Sequence, residues 1–197
     1  MNRRDALKNT ALLGAAATTS ASFLALFQSC QTQDRLRWEP SFLSNKQAHL
    51  VTALVDTILP TTDTPGGLDV KVDMFIDMVY AKTVDEAGQK AFVAQMDQFD
   101  ETCKSKFGKV FYKLDADQKN AVLTEQEANS PKFGRGVWGY GVGEQKPVGF
   151  YRSFKSLAIR GYCTSKEIGS EVLNYDPVPG PYQGCIPFEE VGKVYSL

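Results

Sequence analysis

From Ser44 onward the apolar residues recur at helical spacing with almost no interruption. Nowhere do they alternate at strand period, so few folds other than a helical bundle are open to such a chain. Leu50, Leu54 and Ile58 recur every four residues beside Val51, Val55 and Leu59, a broad stripe on one helical face. Ser44 with Gln47 three residues on is a capping-box signal at its start, and Pro60 ends it. Thr61-Thr62-Asp63-Thr64-Pro65-Gly66-Gly67 is turn chemistry. A second helix follows, with Val70, Met74 and Met78 in line and Phe75 and Val79 beside them. A third, after Thr83, carries Phe92, Met96, Phe99, Cys103 and Phe107, and Asp115 with Gln118 opens a short fourth through Leu123. A fifth carries Phe150, Phe154, Leu157 and Ala158. Residues 129–149 are Gly-rich, and Asp176 to Cys185 reads as an extended tail without regular structure. The expectation is all-α: a single domain of about five helices over residues 44–197, with long Gly/Pro-rich loops and an extended C-terminal tail.

Residues 1–29 do not fit that pattern. Arg3, Arg4 and Lys8 form a basic head before the modestly apolar run Ala11–Ala17 and the later Phe23–Phe27, the layout of a secretory signal. The arginine pair favours the twin-arginine route, with Leu7 and Lys8 in register and Ala6 where a Phe is usual. Thr18, Thr19 and Ser20 break the apolar run, so it is too short and too polar for a membrane span. Ser29-Cys30 at its end resembles a lipobox, although Phe27 and Gln28 depart from the usual pattern. Cys30 is therefore expected to carry a lipid, the other reading being an ordinary cleaved signal with an incidental cysteine. Residues 30–43 would be the lipidated N-terminus and tether, and the protein a periplasmic, membrane-anchored lipoprotein. The twin-arginine route carries folded proteins, often with a cofactor, so such a chain either binds one or travels with something that does.

Few chemistries remain open to the rest. The net charge is −1, with no basic patch to argue for nucleic acid. His49 is the only histidine, and no Cys-x-x-Cys pair exists for zinc or an iron–sulfur cluster. Gly134, Gly136, Gly139, Gly141 and Gly143 follow no strand and open no helix, so they lack the context of a dinucleotide fingerprint. Asp69, Asp73 and Asp77 line one helical face, which reads as a solvated face near a helix N-terminus rather than an acid/base or calcium site. No catalytic residue, metal site or cofactor is expected in this chain. Cys163 and Cys185 flank a Pro/Gly-rich segment, where a disulfide would be worth about 3 kcal/mol. Such a bridge is one expectation and two free thiols the other. Cys103, inside a helical pattern, reads as a buried thiol. Phe133, Trp138, Tyr140, Tyr175 and Tyr182 stand in irregular segments, where aromatic side chains suit an interface.

The run Leu50-Val51-Thr52-Ala53-Leu54-Val55-Asp56-Thr57-Ile58-Leu59-Pro60-Thr61-Thr62-Asp63-Thr64-Pro65-Gly66 resembles the opening of the gluconate 2-dehydrogenase subunit 3 family. Phe75-Ile76-Asp77-Met78 is similar to the motif that follows it there. Gly161-Tyr162-Cys163-Thr164-Ser165 and Tyr175 to Cys185 resemble its closing motifs. The resemblance covers roughly residues 44–190. It implies a small, non-catalytic subunit of a membrane-associated dehydrogenase that oxidises sugars, sugar acids or polyols. FAD would lie in a large partner subunit of the glucose–methanol–choline type, and electrons would leave through a cytochrome c subunit. The small subunit would carry the export signal for both. The partner-binding residues are then expected at Thr61, Thr62, Asp63 and Pro65, at Trp138 and Tyr140, and at Tyr175 and Tyr182. Two rivals stand beside this reading: a free-standing surface lipoprotein that binds a sugar through its aromatic loops, and an enzyme using the aspartates near 63–77.

Overall fold

Helix α1 (Asn45–Ile58) starts where its capping box is satisfied, the Ser44 side chain accepting from Gln47 N and the Gln47 side chain accepting from Ser44 N. The structure is a computed structural model that describes residues 36–134, 136, 137, 140–144, 147–178, 180, 181 and 184–196. Trp38–Leu197 forms one compact unit, and the helical architecture is its own. Leu50, Val51, Leu54 and Val55 on α1 are almost completely excluded from solvent. That stripe makes α1 the central element, packed on α2 (Val72–Thr83), α3 (Glu86–Phe107), α4 (Ala116–Asn129) and a 3-10 turn at Phe111–Lys113. Helix α5 (Phe150–Cys163) closes the bundle against α2, α3 and α4 and leads into a π turn at Ile168–Val172. A short helix α6 (Phe188–Val191) lies in the C-terminal segment. The all-α, five-helix expectation holds, with five helices of twelve or more residues among the described residues.

Local chemistry sets the helix ends. Asp85 caps α3 by accepting from Gly88 N, and Gly108, at φ +71°, ends it with its N–H on Lys104 O. Lys104 and Lys106 in the last turn suit the negative end of the helix dipole. Asp115 and Gln118 form the expected capping box of α4, which runs on to Asn129, well past Leu123.

Between the helices runs an aromatic core. Tyr80 stacks on Phe92 at 3.7 Å between centroids, and Phe92, Phe99, Phe111, Phe150 and Phe154 continue the chain of ring contacts. Phe92, Met96, Phe99 and Cys103 are buried, as the spacing of α3 predicts.

Two expectations are corrected. On α2 the buried apolar residues are Val72 and Ile76, whereas Met74 and Met78 are exposed. The inward face also carries Asp73 and Asp77, both buried, so of the three aspartates only Asp69, in the turn before α2, is exposed. Asp73 and Asp77 are drawn inward because residues 38–43 and Thr52 bring hydrogen-bond donors to them. The second correction concerns regular structure in the loops. Gly136–Val137 (β1) and Tyr140–Gly141 (β2) form a short antiparallel ladder, in register Gly136↔Gly141 and Val137↔Tyr140. The tail is pinned at Asn174, whose N–H donates to Val194 O and whose carbonyl accepts from Ser196 N at 2.9 Å.

Candidate docking surface

The segment joining α1 to α2 is built on a carboxylate. Asp69 Oδ2 accepts from Thr61 Oγ1 and from Gly66 N, each at 2.7 Å. Gly67 N donates to Leu59 O at 2.8 Å and Val72 N to Gly67 O at 2.9 Å, which turns the chain straight into α2. The two glycines are required sterically. A Cβ on Gly66 would lie 2.6 Å from the Thr61 backbone nitrogen, and one on Gly67 2.6 Å from Val55 Cγ1. Thr61, Thr62 and Asp63 remain exposed at the tip, while Pro65 is half-buried.

Helix α5 holds that loop from the other side. Tyr162 Oη donates to Pro65 O at 2.7 Å, across 97 residues of sequence. One residue earlier Gly161 lies against the Phe75 ring, where a Cβ would come within 2.5 Å of Cδ1. The Leu50–Gly66 run, the Phe75–Met78 motif and the Gly161–Ser165 motif therefore meet at the C-terminal end of α5. The next residue, Cys163, lines a cleft of about 370 Å³ shared with the π turn and with Tyr175 and Ser196 of the tail. Pro65 and Tyr175 are thus brought to the same end of the same helix.

The Gly-rich ribbon is elsewhere. It is rooted between Asn129 and Phe150, at the opposite end of α5, a helix of about 20 Å at 1.5 Å per residue. Trp138 and Tyr182 lie outside the described residues, as do Arg3, Arg4 and Cys30, and of Tyr140 only the backbone, in β2, is described. Cys163 and Cys185 are free thiols, Cys163 half-buried and Cys185 exposed with φ +58°. Cys103 is the buried thiol expected, its pKa pushed up to about 12 by burial and by the neighbouring Asp100 carboxylate.

What periodicity could not find is the apolar surface of the tail. Tyr175, Val178 (82% exposed), Ile186, Phe188 (61%), Val194 and Tyr195 all face solvent within about twenty residues. The only signal in the sequence was apolar side chains set among prolines and glycines, with no spacing to expose it.

The aspartates are committed to structure. Asp77 Oδ2 accepts from Ser41 N (2.7 Å), and Oδ1 from Phe42 N (3.1 Å) and Leu43 N (2.8 Å). Asp73 accepts from Trp38 Nε1 and Thr52 Oγ1, both at 3.0 Å. Asp63, exposed on the loop tip, shares no cluster with them, and no group of three metal-binding side chains occurs among the described residues. His49 stacks on Tyr112 at 5.1 Å. No helix among the described residues is long and apolar enough to cross a membrane.

A helical bundle whose buried carboxylates bind its own backbone, and whose exposed apolar side chains gather on irregular segments, has the form of a subunit built to seat against another protein. The chain belongs to the gluconate 2-dehydrogenase subunit 3 family, whose profile matches residues 45–180. Its membership makes it a subunit of the accessory type in a dehydrogenase complex, with a dehydrogenase subunit as its partner. Neither the curated proteins nor the solved structures gave a match.

Proposed function

We propose that this chain is the non-catalytic small subunit that escorts, stabilises and anchors a periplasmic FAD-dependent sugar or sugar-acid dehydrogenase of the glucose–methanol–choline type. The observation that carries this reading is the family match over residues 45–180, nearly the whole helical domain. Two further features support it. The family motifs converge on the C-terminal end of α5, and the tail beside that end exposes its apolar side chains. FAD would be bound by the partner. Arg3 and Arg4 would address the pair to the twin-arginine route, and a lipid on Cys30 would hold it at the membrane, with a cytochrome c subunit accepting the electrons. The Thr61–Gly67 loop and the tail through Tyr175 would form one contact and the ribbon around Trp138 and Tyr140 a second.

Replacing both arginines by lysine (Arg3→Lys with Arg4→Lys) tests the escort role, because the machinery reads the pair itself. Partner dehydrogenase activity is expected to stay in the cytoplasm. Activity that still reaches the periplasm would remove that role. Cys30→Ser separately tests the anchor: the complex should move from the membrane to the soluble fraction with its activity intact.

A further inference from the structure

A groove of about 300 Å³ runs between α3 and the last turn of α4, and its described lining includes none of the residues assigned to docking. Four side-chain amides line it, Gln95 and Gln98 from α3 and Gln126 and Asn129 from α4, with the hydroxyls of Thr102 and Ser130. In a chain with 23% charged residues, none of the described lining residues is charged. Phe99 and Phe150 also line it, their ring centroids 5.6 Å apart. Its wall at the ribbon neck is held in place by Gly149 N donating to Pro131 O and Arg152 Nε donating to Ser130 O, both at 3.2 Å.

The amides of Gln95, Gln98 and Asn129 make no hydrogen bond with the described residues, whereas Gln126 Oε1 takes a long one, 3.4 Å, from Ser130 Oγ. Thr102 Oγ1 donates to Gln98 O, so its lone pairs remain free to accept. An amide offers two donors and an acceptor at one place, and a sugar hydroxyl asks for both. A carboxylate or phosphate would require cationic donors, and the described lining offers none. Aromatic carbon beside those amides suits the C–H face of a sugar ring, and the volume lies at the small end of ligand sites. Solvated amides over a crevice between two helices would give the same exposure. They would not bring four amides and two hydroxyls together over aromatic rings without a charge among them.

We propose that the α3–α4 groove binds a neutral polyhydroxylated molecule, a monosaccharide or an open-chain polyol. The groove is open and its described lining is uncharged, so binding is weak and depends on the amides. Saturation-transfer difference NMR on the purified full chain, with D-glucose and D-glucitol as probes and gluconate as the charged comparison, tests it. Transfer to the neutral probes is expected to exceed that to gluconate. Gln98→Leu with Gln126→Leu should weaken binding roughly tenfold or more with unchanged helix content, and Gln95→Leu alone, at an exposed position, should weaken it in the same direction. No transfer to either neutral probe, transfer that survives the substitutions, or preference for gluconate would overturn the proposal. Docking to a dehydrogenase uses other residues, so retention of the partner by the same variants separates this claim from that one.

Discussion

Asp77 holds three backbone N–H groups of the segment leading into α1, and it does so at a buried position. Hydrogen bonds to a charged acceptor are worth about 1.5–3 kcal/mol each, and an unsatisfied buried donor costs a comparable amount. Asp77→Asn turns one acceptor into a donor facing other donors. We expect it to lower unfolding stability by about 2–3 kcal/mol, read from the urea midpoint with an unchanged slope. Asp100 is the opposite case. Burial raises its carboxyl above the ordinary value, against the Phe111 N–H and the charges of Lys46 and Lys104, which lower it. A raised carboxyl contributes stability that is present in acid and is lost as pH rises through its folded value. Asp100→Asn keeps an acceptor for Phe111 N and should leave the protein as stable or more stable at neutral pH, with a flatter loss between acid and neutral pH. Glu127 works the other way: Lys155, then Arg152, hold it below the ordinary value, so its contribution disappears as pH falls. Among the thiols, Cys103 at about 12 should resist alkylation in the folded protein while exposed Cys185 reacts.

At the scale of elements, the join between α5 and the α1–α2 loop decides whether the motif-bearing segments share one surface. Gly161→Ala would drive a methyl into the Phe75 ring and should cost about 1–3 kcal/mol by overpacking. Tyr162→Phe removes the bond to Pro65 O and should cost about 1 kcal/mol, with faster amide exchange confined to residues 61–67. The contrast between legible and illegible elements is physical. The boxes at Ser44–Gln47 and Asp115–Gln118, and the α3 stripe from Phe92 to Cys103, are local signals read over one to four turns. The face of α2 was not legible, because what turns Asp73 and Asp77 inward comes from residues more than thirty positions away and from Thr52. The turn chemistry of the 61–67 loop was visible from composition and motif. The Tyr162–Pro65 contact that fixes that loop, 97 residues apart, was not.

The whole domain divides between a helical core that buries its own apolar side chains and a tail whose described residues bury almost nothing. The described residues of 175–196 are nearly all exposed, with Val178, Phe188 and Tyr195 prominent, and the tail returns to the domain at the Asn174–Tyr195 bridge. Removing everything after Asn174 should therefore leave helix content and unfolding midpoint close to those of the intact chain, while retention of the dehydrogenase subunit is lost. Interfaces draw most of their energy from a few buried aromatic and apolar anchors, which is what this tail offers. Whether this bundle is the small subunit of a flavin dehydrogenase is decided most directly by a pull-down of the tagged chain from its native membranes, with an absorbance spectrum of the eluate. A stoichiometric large subunit bearing the absorption bands of bound FAD is the expected result. A colourless chain eluting alone from membranes that retain dehydrogenase activity would contradict it.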